Sequence, residues 1–266
     1  MRSDESRGRT FRRGDPGYEA ARRDTCWNAR IAERFPDVIV QANDEADVVG
    51  AMELAAREGL QVGVRSGGHS WASNHVRNGG MLLDLSRLRD VTIDASAMLA
   101  TAGPGCAGHE LAERLRPHQL FFPAGHCKGV CLGGYLLQGG FGWHGRALGL
   151  ACMSVVGIDY VDATGQRRHA SPTENEGMYW AARGAGPGFF GVVTRFHLRL
   201  YPRPRFMGMA MVTYPLRDLE GVFRWAHAIG PKVPESIELM ILLSRDTLGV
   251  RGAGIGLVFQ EPMAAL

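Results

Sequence analysis

The sequence predicts an α+β fold, and three observations carry that expectation. Strand-like and helix-like segments both recur along the 266 residues. The 36 glycines amount to roughly twice the average share, and they crowd between Gly103 and Gly191 without any collagen-like period. Tyr201-Pro202-Arg203-Pro204-Arg205 then reads as a linker, because proline lacks the N–H that a sheet ladder needs. A chain of this length suits one large domain or two smaller ones. The expected division is an N-terminal arm and lead-in over 1–30, a main domain over 31–203, and an incomplete α/β domain over 204–266.

Along the chain, Asp37–Gln41 reads as a strand, and Asn43 or Asp44 caps a helix to about Glu58. Val48, Val49, Met52, Leu54 and Ala55 supply its buried stripe. Leu60–Val64 is a strand entering a glycine turn, and Met81–Leu85 is the next strand. Val91–Ile93 and Met98–Thr101 are β-rich, and Glu110–Arg116 is helical. Leu132–Gly142 is a short apolar element broken by glycines. Val155–Val161 and Gln166–Ala170 flank Ala163-Thr164-Gly165 as a hairpin. Met178–Ala182 closes a helix, and Phe190–Tyr201 is a long alternating strand. Beyond the linker come a strand (Met207–Thr213), a helix (Asp218–Ile229) and two strands (Ile237–Leu243 and Ile255–Phe259). The alternation of Met207–Met211 reads as a packed sheet face.

Composition excludes several classes. Hydrophobic residues make up 45% and charged residues 21%, as in ordinary globular proteins. The net charge of +3 is slight. Its excess sits in Arg2, Arg7, Arg9, Arg12, Arg13, Arg22 and Arg23, which read as a frayed arm. No basic face with interleaved aromatics continues that arm, so a nucleic-acid partner is not expected. The first fifteen residues carry no apolar stretch, and no run is long enough to span a bilayer. Cys26, Cys106, Cys127, Cys131 and Cys152 are odd in number and scattered, which argues against a disulfide framework and for a reduced, cytoplasmic protein.

The segment Val64-Arg65-Ser66-Gly67-Gly68-His69-Ser70 points to a bound nucleotide. Paired glycines let backbone N–H groups approach phosphate oxygens. Ser66 and Ser70 add hydroxyls, and His69 puts an imidazole at the lip of the turn. The alternative is a surface turn with a solvated histidine. Two GxGxxG strings tempt a nicotinamide reading. The one starting at Gly103 lacks a downstream acidic ribose partner. The one starting at Gly140 lacks a preceding strand and carries Trp143 and His144 inside the turn. From Pro123 to Gly149 the glycines leave a broad backbone surface against which a flat ring system can lie, with Cys127 and Cys131 beside it. These two cysteines have no matching second pair, so no metal site is expected. Cys131, Cys106 and Cys152 read as packing, as do Trp143 and Phe141. His126 and His144 read as loop histidines. Asp159 and Asp162 read as flanking the hairpin. Arg146 anchors either a loop carbonyl or a phosphate.

Taken together, these motifs resemble the berberine bridge enzyme-like family of FAD-linked oxidases. They begin near Asp15-Pro16-Gly17-Tyr18 and continue through RSGGHS (65–70), LDLS (83–86), GPG (103–105) and GHC (125–127). VCLGG (130–134), LLQGGFGW (136–143), Arg146, Gly149 and ARGAGPGFFGVVT (182–194) complete them, so the likeness covers roughly residues 15 to 203. It implies a two-part, PCMH-type FAD-binding domain of the vanillyl-alcohol-oxidase type, truncated before its substrate domain is complete.

The resemblance also implies roles. His69 falls on the histidine bonded to the flavin 8α-methyl, and Cys127 on the cysteine bonded to flavin C6. Val130 falls where a residue gates oxygen, with valine going with oxidase behaviour. Tyr135 takes a position near flavin N1. Ser66, Gly67, Gly68 and Ser70 hold the pyrophosphate, with Arg65 leading into the turn. Gly133, Gly134, Gly139, Gly140 and Gly142 keep the family's register from Cys127. Gly188, Gly191 and Val192 lie against the cofactor. The implied reaction is oxidation of a small alcohol, sugar or amine-type substrate by hydride transfer to the tethered flavin, with O2 as acceptor. The family's catalytic base comes from the C-terminal region, so no base is named here. The alternative is a catalytically silent remnant, or one half of a split oxidase, whose exposed flavin side needs a partner chain or oligomer to cover it.

Overall fold

The computed structural model describes residues 8–246 and 249–260, with side chains left aside at 206, 207, 209, 211 and from 244 onward. Two sheets and the helix between them position the site. The first sheet has the order β1-β2-β4-β3. Here β1 is Arg9–Arg12, β2 is Val38–Gln41, β3 is Val62–Arg65 and β4 is Met81–Asp84. β2 and β3 both run parallel to β4, and β1 joins β2 antiparallel. Helix α1 (Tyr18–Asp24) follows β1, and helix α2 (Glu45–Glu58) links β2 to β3. Asp44 caps α2 by accepting from the Asp47 N–H at 2.9 Å, and Gly59 closes it at φ +66°. Its buried face is Val48, Ala51, Met52 and Ala55, one turn apart. That face packs on Val38, Val40, Met81 and Leu83, and also on Val161 and Val192 of the second sheet.

The second sheet is antiparallel, with the order β5-β6-β10-β8-β9. Its first strands are β5 (Val91–Asp94) and β6 (Leu99–Ala102), followed by helix α3 (Gly108–Leu115) and β7 (Leu120–Phe121). Helices α4 (Leu132–Leu137) and α5 (Gly145–Leu148) lead to β8 (Val155–Val161) and β9 (Arg167–Ala170). Helix α6 (Glu176–Ala181) and β10 (Val192–Arg199) complete the unit. Phe196, Ile158, Leu198, Leu111, Leu115, Leu132 and Leu136 are fully buried and form one cluster, so α3 and α4 share a core with this sheet. Each such side chain contributes about 1.5–3 kcal/mol by leaving water. At the expected hairpin, Asp162 Oδ1 accepts from the backbone N–H groups of Thr164 and Gln166.

Two expectations are corrected here. The arginine-rich start is not a frayed arm from residue 9 onward, because Arg9–Arg12 is a paired edge strand. Arg22 is only 4% exposed. It binds Glu19 at 2.7 Å and the Ala32 carbonyl at 2.6 Å, and it lies over the Phe35 ring. Arg2 and Arg7 lie outside the described residues. Secondly, Pro202 does not end the pairing. Tyr201–Pro202 is strand β11 and pairs antiparallel with β7. This ladder is only two residues long, so a missing N–H at its end is tolerated.

After β11, strands β12 (Phe206–Pro215), β13 (Ile237–Asp246) and β14 (Gly249–Gln260) form a sheet of order β12-β14-β13, with helix α7 (Leu219–Ile229) between the first two. The Met207–Met211 alternation concerns side chains outside the described residues, as does the segment 261–266. Arg146 on α5 answers its open choice in favour of carbonyls. Its guanidinium donates to Val233 O at 2.9 Å, Ile237 O at 3.0 Å and Pro234 O at 3.1 Å. One side chain thus fastens the segment that leads from α7 into β13.

Candidate flavin site

The glycine turn leaves the C-terminal end of β3, the edge at which parallel strands of open sheets receive ligands. The parallel register sets Arg65 directly beside Asp84. Their side chains pair at 2.8 Å with exposures of only 13% and 4%. Arg65 also donates to the Asp24 carbonyl at 3.2 Å, while its Nε is buried without a hydrogen-bond partner. Gly68 is buried at φ +68°, a conformation that favours glycine. A side chain there would also collide with the Thr25 carbonyl. Ser66 is buried and packs on Gly133 at the start of α4, and Gly67 lies against Cys131. The two glycine-rich segments of the sequence therefore meet.

His69 lies half-buried at this junction, stacked on Trp27 with ring centroids 4.7 Å apart and planes 6° from parallel. Burial, then the Arg65 charge, pushes its pKa below the ordinary value. The imidazole is therefore neutral near pH 7 and keeps a lone pair. The loop carrying Cys127 comes up against the ring. A Cβ on Gly129 would stand 2.9 Å from His69 Nε2. Cys127 itself is exposed, and the Val130 N–H closes the turn onto its carbonyl at 3.2 Å. Val130 O accepts from the Gly108 N–H at 3.0 Å, which ties the loop to α3.

Tyr135 sits at the other side of α4. Its hydroxyl donates to Pro123 O at 2.8 Å, and its ring fills the space over Gly125, Gly140 and Gly142. Burial pushes its phenol well above the usual range. This glycine-rich backbone surface is therefore built around a tyrosine, and Gly139 and Gly140 accept from Cys152 and Ala151 at 2.9 Å each. Gly134 is exposed on α4. Gly188 is exposed in a short turn whose Gly186 lies against Gln138 at the end of α4. Gly191 packs under Tyr160.

The structure brings Ser66, Gly67 and His69 against Gly133, Cys131 and Gly129, so the loop between Cys127 and Val130 meets the turn. The Val192 side chain is buried in the core with α2. Phe141 is corrected: it does not pack but is 79% exposed. Trp143 meets His126 edge-on at 4.1 Å. Cys106 and Cys152 are buried, in line with a packing role.

Sequence reasoning missed Trp27 and Asp84. The signal for Asp84 was two apolar runs ending in opposite charges. Nothing in the chain announces that Trp27 lies across from His69.

His75 belongs to the same support. It is buried and contacts Thr25 O at 3.0 Å, the carbonyl over Gly68. Burial, then the Arg65 charge, lowers its pKa to about 4. The unfolded chain titrates near 6.5, so the unfolded state binds the extra proton first. This stability is whole above about pH 6.5 and is lost as pH falls toward about 4. Melting temperature against pH should drop across that window in the native protein and flatten in His75→Gln.

The donor set fits a flavin dinucleotide. Main-chain amides and the Ser66 and Ser70 hydroxyls surround the turn, the buried Arg65 guanidinium keeps an unpartnered N–H beneath it, and a neutral imidazole and an exposed thiol lie on adjoining segments. Comparisons with known proteins agree. The family described as "FAD binding domain" matches residues 36–171. An FAD-linked oxidoreductase of Penicillium ochrochloron is 38% identical over 233 residues, which is 88% of this chain and 52% of that protein. The crystal structure of 6-hydroxy-D-nicotine oxidase from Arthrobacter nicotinovorans superposes with a TM-score of 0.86 at 27% identity, covering 95% of this chain and 56% of that one. The BBE-like 1 protein of Physcomitrella patens gives 0.87 at 26%, covering 97% and 55%. The chain thus spans about half the length of the relatives it matches. Among the described residues, no helix is long and apolar enough to cross a membrane. By fold, by the arrangement of its glycine-rich turns and by these likenesses, the chain belongs to the FAD binding domain family, and it is similar to FAD-linked oxidoreductases and to a BBE-like protein.

Proposed function

We propose that this chain holds the flavin of an oxidoreductase that oxidises a small alcohol, sugar or amine-type substrate, with the flavin bonded to both His69 and Cys127 and with O2 as acceptor. The observation that carries this reading is the approach of the Cys127–Val130 loop to His69 Nε2, marked by the 2.9 Å that a Cβ on Gly129 would leave. Bound flavin supplies a two-electron acceptor for hydride. The protein's part is orientation. Stacking on Trp27 fixes the His69 ring, and its neutral state leaves a nitrogen free to bond. Ser66, Gly67, Gly68 and Ser70 hold the pyrophosphate above Arg65. Gly133, Gly134, Gly139, Gly140, Gly142, Gly188 and Gly191 present backbone to the cofactor, and Val130 governs oxygen access. Tyr135 supports the surface through Pro123. For Val192 only the main chain is available to the cofactor, given its buried side chain. An oxidase that acts on a nicotine derivative among the neighbours supports the amine-type class of substrate.

The test is acid-denatured protein run on a gel under ultraviolet light. Fluorescence should travel with the native chain, weaken in His69→Ala and in Cys127→Ala, and vanish in the double variant. A dark band for the native chain would sink the covalent reading.

A further inference from the structure

The five-stranded sheet carries a second constellation that the flavin reading does not use. Asp159 on β8 pairs with His169 on β9, and on its other side with Arg195 on β10. His197, two residues after Arg195, pairs with Gly157, two residues before Asp159. The period of two therefore turns all of these side chains to one face. His169 Nδ1 lies 2.7 Å and His197 Nε2 3.1 Å from the same oxygen, Asp159 Oδ1. The other carboxylate oxygen lies 3.7 Å from Arg195. Gly157 keeps the floor low, since a Cβ there would meet the His169 ring at 3.3 Å. The two imidazoles line a cavity of about 280 Å³ that also includes Thr92, Asp94 and Thr101.

We propose that Asp159, His169 and His197 bind a divalent first-row transition-metal ion of the zinc class, with a remaining coordination position open to this cavity. The donors are of the right kind, two imidazole nitrogens and one carboxylate oxygen. Their spacing is right as well. Bonds of about 2.0–2.1 Å put neighbouring ligand atoms about 2.9 Å apart around an octahedral ion and about 3.3 Å apart around a tetrahedral one. The observed separations of 2.7 and 3.1 Å need only small ring rotations to match, and one ligand atom from each residue lies within 4.8 Å of the others. Arg195 pairs electrostatically with the outer oxygen and leaves Oδ1 to the ion. An ion there joins β8, β9 and β10 at a single point. Three protein ligands with an open position also admit water or an anionic small molecule from the cavity.

The full-length chain, free of any affinity tag and stripped with chelator, is titrated calorimetrically with Zn²⁺ alone. One ion per chain is expected. Binding should weaken by about tenfold or more in His169→Ala or Asp159→Asn, disappear in the His169→Ala/His197→Ala double variant, and persist in Cys127→Ala. Cu²⁺-loaded native protein should show electron-spin-echo modulation from two imidazole nitrogens. Absence of stoichiometric binding to the native chain overturns the proposal without recourse to any variant. So does equal affinity in a double variant that melts as the native protein does. Loss of binding in Cys127→Ala would assign the ion to the thiol instead.

Discussion

Asp84→Leu is expected to lower stability by about 3–5 kcal/mol, because it strands the Arg65 charge in the interior. The side chains are 13% and 4% exposed and pair at 2.8 Å, so little water screens the loss. Asp84 Oδ1 also accepts from the Ser86 N–H at 2.9 Å, and that donor is orphaned too. For a chain of this size the shift is about 10 °C or more in melting temperature. The double variant Arg65→Met/Asp84→Leu removes both charges and should regain most of that stability. It should nonetheless retain FAD poorly, since the guanidinium beneath the turn is gone. Calorimetry of the three proteins, with flavin absorbance after gel filtration, separates the two effects. A double variant as unstable as the single one would refute the electrostatic account.

Gly68→Ala is the second large effect. The left-handed backbone costs an alanine about 1–2 kcal/mol, and the clash with the Thr25 carbonyl adds about 1–3 kcal/mol of overpacking. Moving that carbonyl also disturbs its contact with His75. A loss of about 3 kcal/mol, or roughly 10 °C, is expected in a thermal melt. Gly50→Ala supplies the contrast. Gly50 lies on α2 with open space around it, so alanine there should be neutral or should stabilise by about 0.5–1 kcal/mol. Equal losses at both positions would refute the steric account.

Local signals were legible in the sequence, and cross-chain geometry was not. The bounds of α2 follow from Asp44, Gly59 and a stripe of apolar residues, all within one stretch of chain. β8, β9 and their hairpin follow from alternation and a turn. The start of the chain misleads because arginines look solvated, whereas Arg22 finds Glu19, the Ala32 carbonyl and the Phe35 ring only once α1 has folded back. Gly67 and Gly68 were legible as backbone-approach positions, but what approaches them includes Cys131 and the Thr25 carbonyl. His69 and Cys127 were found through their motifs. Trp27 beside His69, and His197 beside Asp159, depend on register and folding that no single segment encodes.

The strand order of the antiparallel sheet also bears on how the chain folds as it is made. β10 lies between β6 and β8, so the last-synthesised strand of that sheet occupies its middle. The earlier pairs, β5 with β6 and β8 with β9, leave the ribosome as separate hairpins with no strand between them. Only when residues 192–199 emerge can the two halves zip together and the cluster around Phe196 close. The segment 36–171 that matches the family thus ends before the strand that closes this sheet.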